Sequence, residues 1–328
     1  MNISTKTALV IGAHGGIGRE SALALQRHGW QVRALVRTPP AEGNTLGMTW
    51  IKGDAMRADD VLTAAKGVSL IVHAVNPPGY RGWEKVVLPM LDNTIEAARM
   101  AGARIVLPGT VYNFGPDAFP LLREDSPQHP NTRKGQIRAE MERRLAAAAR
   151  HGVRTLVLRC GDFLGPQAGN TWFAQGLLQP NKPVNALRYP GAYAISHAWA
   201  YLPDVGETIA TLLDRESELA DFESFHFGGY WLDGNAMADA VRRAAGNPRM
   251  RLKHFPWWLT AVFAPFVETM REVRKMRYLW KGPVQLDDRK LVAFLGFRPY
   301  TPIDTAVYAT LQGMGCVPST SRAVAATA

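Results

Sequence analysis

The stretch VIGAHGGIGRE, residues 10–20, constrains the fold more than any other part of the chain. An aliphatic run ends at Gly12, and apolar residues at helical spacing follow from Ile17. This order reads as a strand turning sharply into a helix. Gly12 permits the tight turn, Gly15 lets a pyrophosphate approach the backbone, and Gly18 lets the helix pack closely on the strand. The helix N-terminus adds N–H donors and a partial positive charge. Strand, glycine loop and helix together predict a dinucleotide-binding βαβ unit. Gly12, His14, Gly15, Gly16, Ile17 and Gly18 are its candidate cofactor contacts.

The rhythm continues through the first half. TALVIGA (7–13), QVRALVR (31–37), MTWIKG (48–53), VSLIVHAV (68–75), ARIVLPG (103–109) and VRTLVLR (153–159) read as strands. Between them, residues 17–28, 58–66, 84–101 and 137–150 carry apolar residues at a period of 3.6. Near-continuous aliphatic strands separated by helices imply a parallel sheet covered on both faces. Right-handed crossovers then make it doubly wound, a Rossmann-type α/β fold.

After residue 165 the pattern changes. Pro, Gly and Asn cluster in GPQAGN, QPNKP and RYPGAY, which predict loops. Helices are expected at 205–215 and 234–246, a strand at 224–229, and a last helix from YTPIDT, capped by Thr301 and ending at Gly313. We divide the chain into an NAD(P)-binding domain, residues 1–165 with return segments near 195–229, and a smaller, mostly helical, mainly substrate-binding part, 166–328. The final VPSTSRAVAATA is small and polar and is expected to fray.

The end of the second strand selects the cofactor. An acid there would bind the ribose diol of NAD, but RALVRTPP has none, and Arg37 can pair with a 2′-phosphate. NADP is therefore expected over NAD. Asp54, closing the third strand, is a candidate acceptor for the adenine amino group. Ala74 and Val75 in HAVNPPG line the nicotinamide ribose, with Asn76 and His73 beside them.

These stretches resemble the extended short-chain dehydrogenases/reductases, the NAD(P)-dependent epimerase/dehydratase group. KGDA, IVHAV, RIVLPGTVYNFGP, LRCGDFLGP, AYLPDVGETIATLL and LGFRPYTPIDTAVYATL fall in that family's order along nearly the whole chain. The resemblance implies hydride transfer supported by a Ser or Thr after the fifth strand and a Tyr-x-x-x-Lys on the next helix. Thr110 falls at the hydroxyl position. In PNTRKGQIRAEME, matching Pro130, Gly135 and Glu142 places Lys134 at the tyrosine and Arg138 at the lysine. The chain thus resembles the family's atypical members.

Arg138 stays protonated and can bind ribose hydroxyls, but it cannot shuttle a proton. Lys134 can do so once burial and the charge of Arg138, one turn away, lower its pKa. Tyr112 is a second proton donor of suitable chemistry. Asn76, Asn113 and His197 are candidate substrate contacts. The leading expectation is an NADP-dependent oxidoreductase of the epimerase/dehydratase type, acting on a small or nucleotide-sugar-like substrate. The rival is a non-catalytic NADP-binding sensor or scaffold with a degenerate site.

Charge and composition narrow the partners. The formal charge is +10, and residues 242–290 hold twelve Lys and Arg against four acids. A solvated basic face is the simpler reading, and an anionic substrate the sharper one. No metal-ligand or nucleic-acid signature is present. Two distant cysteines and no leader-like N-terminus suggest a cytoplasmic protein, monomeric or homodimeric. In residues 255–280 aromatics stand beside a basic helix, which suits a membrane surface. The favoured reading is that Trp257, Trp258 and Phe263 cover the substrate pocket or a subunit contact.

Overall fold

A computed structural model describes residues 6–41, 46–77, 82–169 and 171–318. Residues 319–328, where fraying was expected, lie outside the described residues, as do Pro78 and Gly79 of the loop HAVNPPG. The first βαβ unit is β1 (Thr7–Ile11), α1 (Gly16–Arg27) and β2 (Gln31–Val36). There follow β3 (Thr49–Lys52), α2 (Ala58–Ala64), β4 (Leu70–His73), α3 (Trp83–Ala101) and β5 (Arg104–Thr110). Beyond the short β6 (Leu121–Leu122) come α4 (Arg133–Ala149), β7 (Thr155–Cys160) and β8 (Asp162–Leu164). Next are β9 (Ala186–Tyr189), β10 (His197–Tyr201), α5 (Leu202–Asp214), β11 (Phe222–Phe227), β12 (Tyr230–Leu232) and α6 (Gly234–Ala245). The chain closes with β13 (Arg251–His254), α7 (Trp257–Phe263), α8 (Glu268–Lys275), β14 (Gln285–Leu286), α9 (Arg289–Leu295) and α10 (Ile303–Gly313).

Seven strands form one sheet in the order β11-β7-β5-β4-β1-β2-β3. Every pairing in it is parallel. Winding reverses between β1 and β4, where Ile11 pairs with His73. The carboxyl ends of the strands at such a reversal leave a crevice for ligands. Alternate residues feed opposite cores, as a period of two requires. Ala8 and Val10 pack with Leu25, Ile209, Leu213 and Leu291 on the side of α1, α5 and α9. Leu9 and Ile11 pack with Val61, Leu91, Met141 and Leu145 on the side of α2, α3 and α4. Both faces are therefore dry, and the strands can be aliphatic throughout.

A third core gathers Phe173, Trp199, Met237, Leu279 and Val307 in the C-terminal part. There β10 pairs in parallel with β8 and antiparallel with β12, while β9–β13 and β6–β14 form two small pairs. Two local expectations need correcting. RYPGAY is not all loop, because its Arg188 and Tyr189 close β9, which pairs with β13. Nor does Thr301 cap the last helix. Its N–H and hydroxyl both donate to the buried Asp204 carboxylate, at 2.8 and 2.7 Å. A buried carboxylate needs donors more than an exposed helix end does. Among the described residues no helix is long and apolar enough to cross a membrane.

One buried ion pair ties α4 to the sheet. Arg159 on β7 donates through Nη2 to Glu142 Oε2 at 2.8 Å and through Nε to Oε1 at 3.1 Å. His226 on β11 accepts from Arg159 Nη1 at 3.0 Å and donates through Nδ1 to the Leu122 carbonyl at 3.1 Å. Burial, with the Arg159 charge, pulls the His226 pKa down to about 3, so the ring is neutral and can take both roles. Replacing Arg159 with Met strands the Glu142 carboxylate in the core. Arg159→Met should lower stability by about 3–5 kcal/mol, read as a fall in the urea midpoint. Combining it with Glu142→Leu should recover much of the loss, and a single variant as stable as the parent would refute the importance of the pair.

Candidate active site

At the carboxyl edge of the sheet, β4, β5 and β7 open into a cavity of about 340 Å³. Ala74, Val75 and Asn76 after β4, Thr110 at the end of β5, and Lys134 and Arg138 on α4 line it, together with Ile17 and Tyr112. With His73, nine of the residues singled out from the sequence thus meet in one place. The Thr110 hydroxyl accepts the Tyr112 N–H at 3.4 Å and starts a short turn over Val111–Asn113. Thr132 caps α4 by accepting the Gly135 N–H at 3.1 Å, which fixes where Lys134 enters.

Lys134 is only 2% exposed. Burial pulls its pKa down to about 7; Lys275 adds to the fall, while Glu272 and Glu268 oppose it. Glu272 Oε2 stands 3.9 Å from Nζ. The expected source of the shift was partly wrong, since the charges acting on Lys134 come from α8 and not from Arg138. The Arg138 guanidinium lies over the Trp83 ring at 5.2 Å, and its Nη2 donates to Asn76 Oδ1 at 3.4 Å. The two cations diverge, one toward α8 and one toward α3.

His73 lies beneath Arg138 in the same cavity. Thr94 donates its hydroxyl proton to Met90, so it must accept from His73 Nδ1–H at 2.8 Å. Burial and Arg138 lower the His73 pKa to about 3, leaving a neutral ring with Nε2 as an acceptor. Asp162 was missed in the sequence. It follows β7 and Gly161 directly and lines the cavity, where it accepts the Tyr112 hydroxyl at 3.4 Å and the His197 Nε2–H at 2.7 Å. An acid just past the carboxyl end of a parallel strand is a signal that could have found it.

Two candidate substrate residues do not reach the cavity. His197 is buried behind Asp162 and stacked on Trp280, with ring centroids 3.9 Å apart. Asn113 is buried too, donating to Gln128 at 3.2 Å, and Gln128 in turn donates to Glu142. Of the two roles expected for Trp257, Trp258 and Phe263, lining the pocket cover is not the one seen. The cover is formed by Trp172 and Phe255 with Thr269, Met270 and Val273 of α8, and Met276 after it. Trp258 and Phe263 are 67% and 47% exposed and take no part. Trp257 backs the wall by packing on Phe255 and Trp172, while its indole donates to the Pro190 carbonyl.

The glycine loop lies beside the cavity. Gly12 has φ +94° and packs so closely on Ala74 and Val75 that a Cβ would clash with their backbone. A Cβ on Gly18 would strike the Gly12 carbonyl, so only glycine lets α1 approach β1 this closely. Gly15 precedes α1 and is exposed, while Gly16 and Ile17 begin the helix with first-turn N–H groups that lack intrahelical acceptors. That open cradle fits a pyrophosphate. Farther out, His14 stacks on Trp50 at 5.0 Å and hydrogen-bonds the Thr38 carbonyl, and Arg37 is exposed at the end of β2. Asp54 spends Oδ1 on the Met56 N–H at 3.0 Å. Among the described residues no cluster of His, Cys, Asp or Glu could hold a metal ion.

Comparison with known proteins agrees with this architecture. Residues 12–149 match the family model described as NAD(P)H-binding. UDP-glucose 4-epimerase from Bifidobacterium longum, in complex with NAD+ and UDP, superposes with a TM-score of 0.72 at 14% identity, covering 95% of this chain and 98% of that one. UDP-N-acetylglucosamine 4-epimerase from Bacillus cereus gives 0.70 at 16% identity over 95% and 99%. MoeE5 in complex with UDP-glucose and NAD gives 0.71 at 17% over 94% and 98%. None of the curated proteins matches the sequence. At these identities the likeness is one of fold. The protein carries an NAD(P)H-binding domain over residues 12–149 and shares the fold of these nucleotide-sugar enzymes.

The cradle yields a direct test. A Cβ on Gly15 would have only the Gly12 carbonyl near it, at 3.3 Å, and the backbone there is extended, so a side chain is tolerable to the fold. Gly15→Val should keep the circular dichroism spectrum and unfolding midpoint yet abolish NAD(P) binding in calorimetry. Retained binding would place the dinucleotide elsewhere.

Proposed function

We propose that the protein is an NADP-dependent oxidoreductase of the epimerase/dehydratase type, acting on a carbonyl or hydroxyl carbon of a small or nucleotide-sugar-like substrate. The observation that carries this reading is Lys134, buried in a cavity at the switch-point edge with its pKa brought to about 7. A general acid or base works best when its pKa lies near the operating pH. A binding protein without chemistry has no need of such a group, which favours the enzyme over the sensor.

When bound, the nicotinamide supplies or accepts the hydride. The first-turn N–H groups of α1 would hold the pyrophosphate, and Arg138, braced on Trp83, would hold the ribose hydroxyls. The Thr110 hydroxyl orients the substrate oxygen. In reduction, the Lys134 ammonium would give its proton to the carbonyl oxygen. Lys134 then regains a proton from water. In oxidation, the neutral amine takes the hydroxyl proton. Tyr112 is the weaker donor, because its proton is already directed at Asp162.

The sign of the pH dependence follows. Reduction needs the ammonium, so kcat should fall as pH rises through about 7. Oxidation needs the amine and should rise over the same range. Lys134→Met should remove that titration and cost ~10²-fold or more in kcat, the usual scale for a general acid, while NADP binding survives. Lys134→Tyr should fold normally. Undiminished turnover by Lys134→Met would make the residue a bystander.

Cofactor preference rests on Arg37. NADPH should bind more tightly than NADH, and Arg37→Ala should weaken NADPH alone by about 1.5–3 kcal/mol, the loss of one charge-assisted contact. Equal affinity for both cofactors in the unaltered protein, read by calorimetry, would refute the assignment.

A further inference from the structure

The cavity has two unlike walls. Among the described residues its cations are Lys134 and Arg138, both on α4. Trp172, Phe255, Met270, Val273 and Met276 form its cover, and Phe163 also lines the cavity. Trp172 is held in place by ring contacts to Phe255 and Trp280, both at 5.5 Å. The polar side chains near it are engaged within the protein. Thr171 donates its hydroxyl to the Ala168 carbonyl at 2.8 Å, and Gln175 donates its amide to the Gly169 carbonyl at 3.0 Å. Asp162 is the acid of the cavity, and both its oxygens already accept hydrogen bonds. The basic surplus of residues 242–290 lies elsewhere, for none of its Lys or Arg lines the cavity.

We infer that the substrate is an uncharged, largely apolar carbonyl compound of about one aromatic ring, and that a nucleotide sugar is not accommodated. The inference rests on the oxidoreductase reading and narrows its substrate to the small alternative, setting the nucleotide-sugar-like one aside. Small-molecule sites span ~300–1,000 Å³, so 340 Å³ is at the small end, and the nicotinamide must share it. A diphosphate against the far wall would lose its water and meet thioether, aliphatic and aromatic groups, with a carboxylate close by. Burying an unpaired charge in this way is prohibitive. A flat apolar ring would instead lie on Trp172 and Phe255 with its carbonyl oxygen toward Thr110 and Lys134.

The test compares acetophenone, benzaldehyde, 4-carboxybenzaldehyde and UDP-glucose on the NADP-bound protein. Calorimetry reads binding, and NADPH absorbance reads turnover. The neutral carbonyls should bind, while the carboxylate should weaken binding at least ~100-fold, as expected for an unpaired charge in a dry site. Met270→Arg should narrow that gap from the apolar wall. Tight binding of UDP-glucose, or no binding of either neutral carbonyl, would overturn the substrate class. Selective binding of the neutral compounds without turnover would leave the class standing and overturn the oxidoreductase reading.

Discussion

The buried Arg159–Glu142 pair sets the geometry on which the site depends. It holds the middle of α4 against β7, and α4 carries Lys134 and Arg138 on its first two turns. Through Gln128 the same carboxylate reaches Asn113, at the end of the turn that begins at Thr110. One carboxylate therefore constrains both the helix and the loop of the cavity. Neither partner gains stability from being charged and dry, since desolvation consumes most of the attraction. What the pair supplies is position, because guanidinium and carboxylate meet at fixed distances and angles.

Burial and field then divide the labour between the two cations of α4. Arg138 keeps its charge and spends it on Asn76, the Trp83 face and the neighbouring His73, which is held neutral. Lys134 is enclosed by α8 and becomes a group of adjustable charge. The same helix that supplies the apolar cover also supplies the charges tuning the lysine. Enclosure of the cavity and the charge of Lys134 are thus both set by one element.

Much of the sheet was legible because its signals are local. Aliphatic runs, helical periods and the glycine spacing each operate within some thirty residues, and the observed strands and crossover helices lie where those signals put them. The meeting of Thr110, Lys134 and Arg138 was also legible, through an ordered set of motifs. The cover was not. Glu272 and Lys134 are joined only by tertiary packing, and nothing in the composition of residues 255–280 says which apolar face turns inward. Trp258 looked like a pocket residue for its size, yet Met270 and Val273 do the covering. His197 failed as a substrate contact because Trp280, far along the chain, stacks over it.

Gly135 has a consequence for how such a site can change over time. A Cβ there would run into the Tyr112 carbonyl and the Pro130 ring, so the start of α4 is seated against its neighbours by the lack of a side chain. Residue 134 is then delivered to the same point whatever it carries, like a bit in a fixed holder. Chemistry at that point can be exchanged by single substitutions while the seat stays constant. A change of residue 134 therefore need not disturb the packing of α4, provided the glycine beside it is kept.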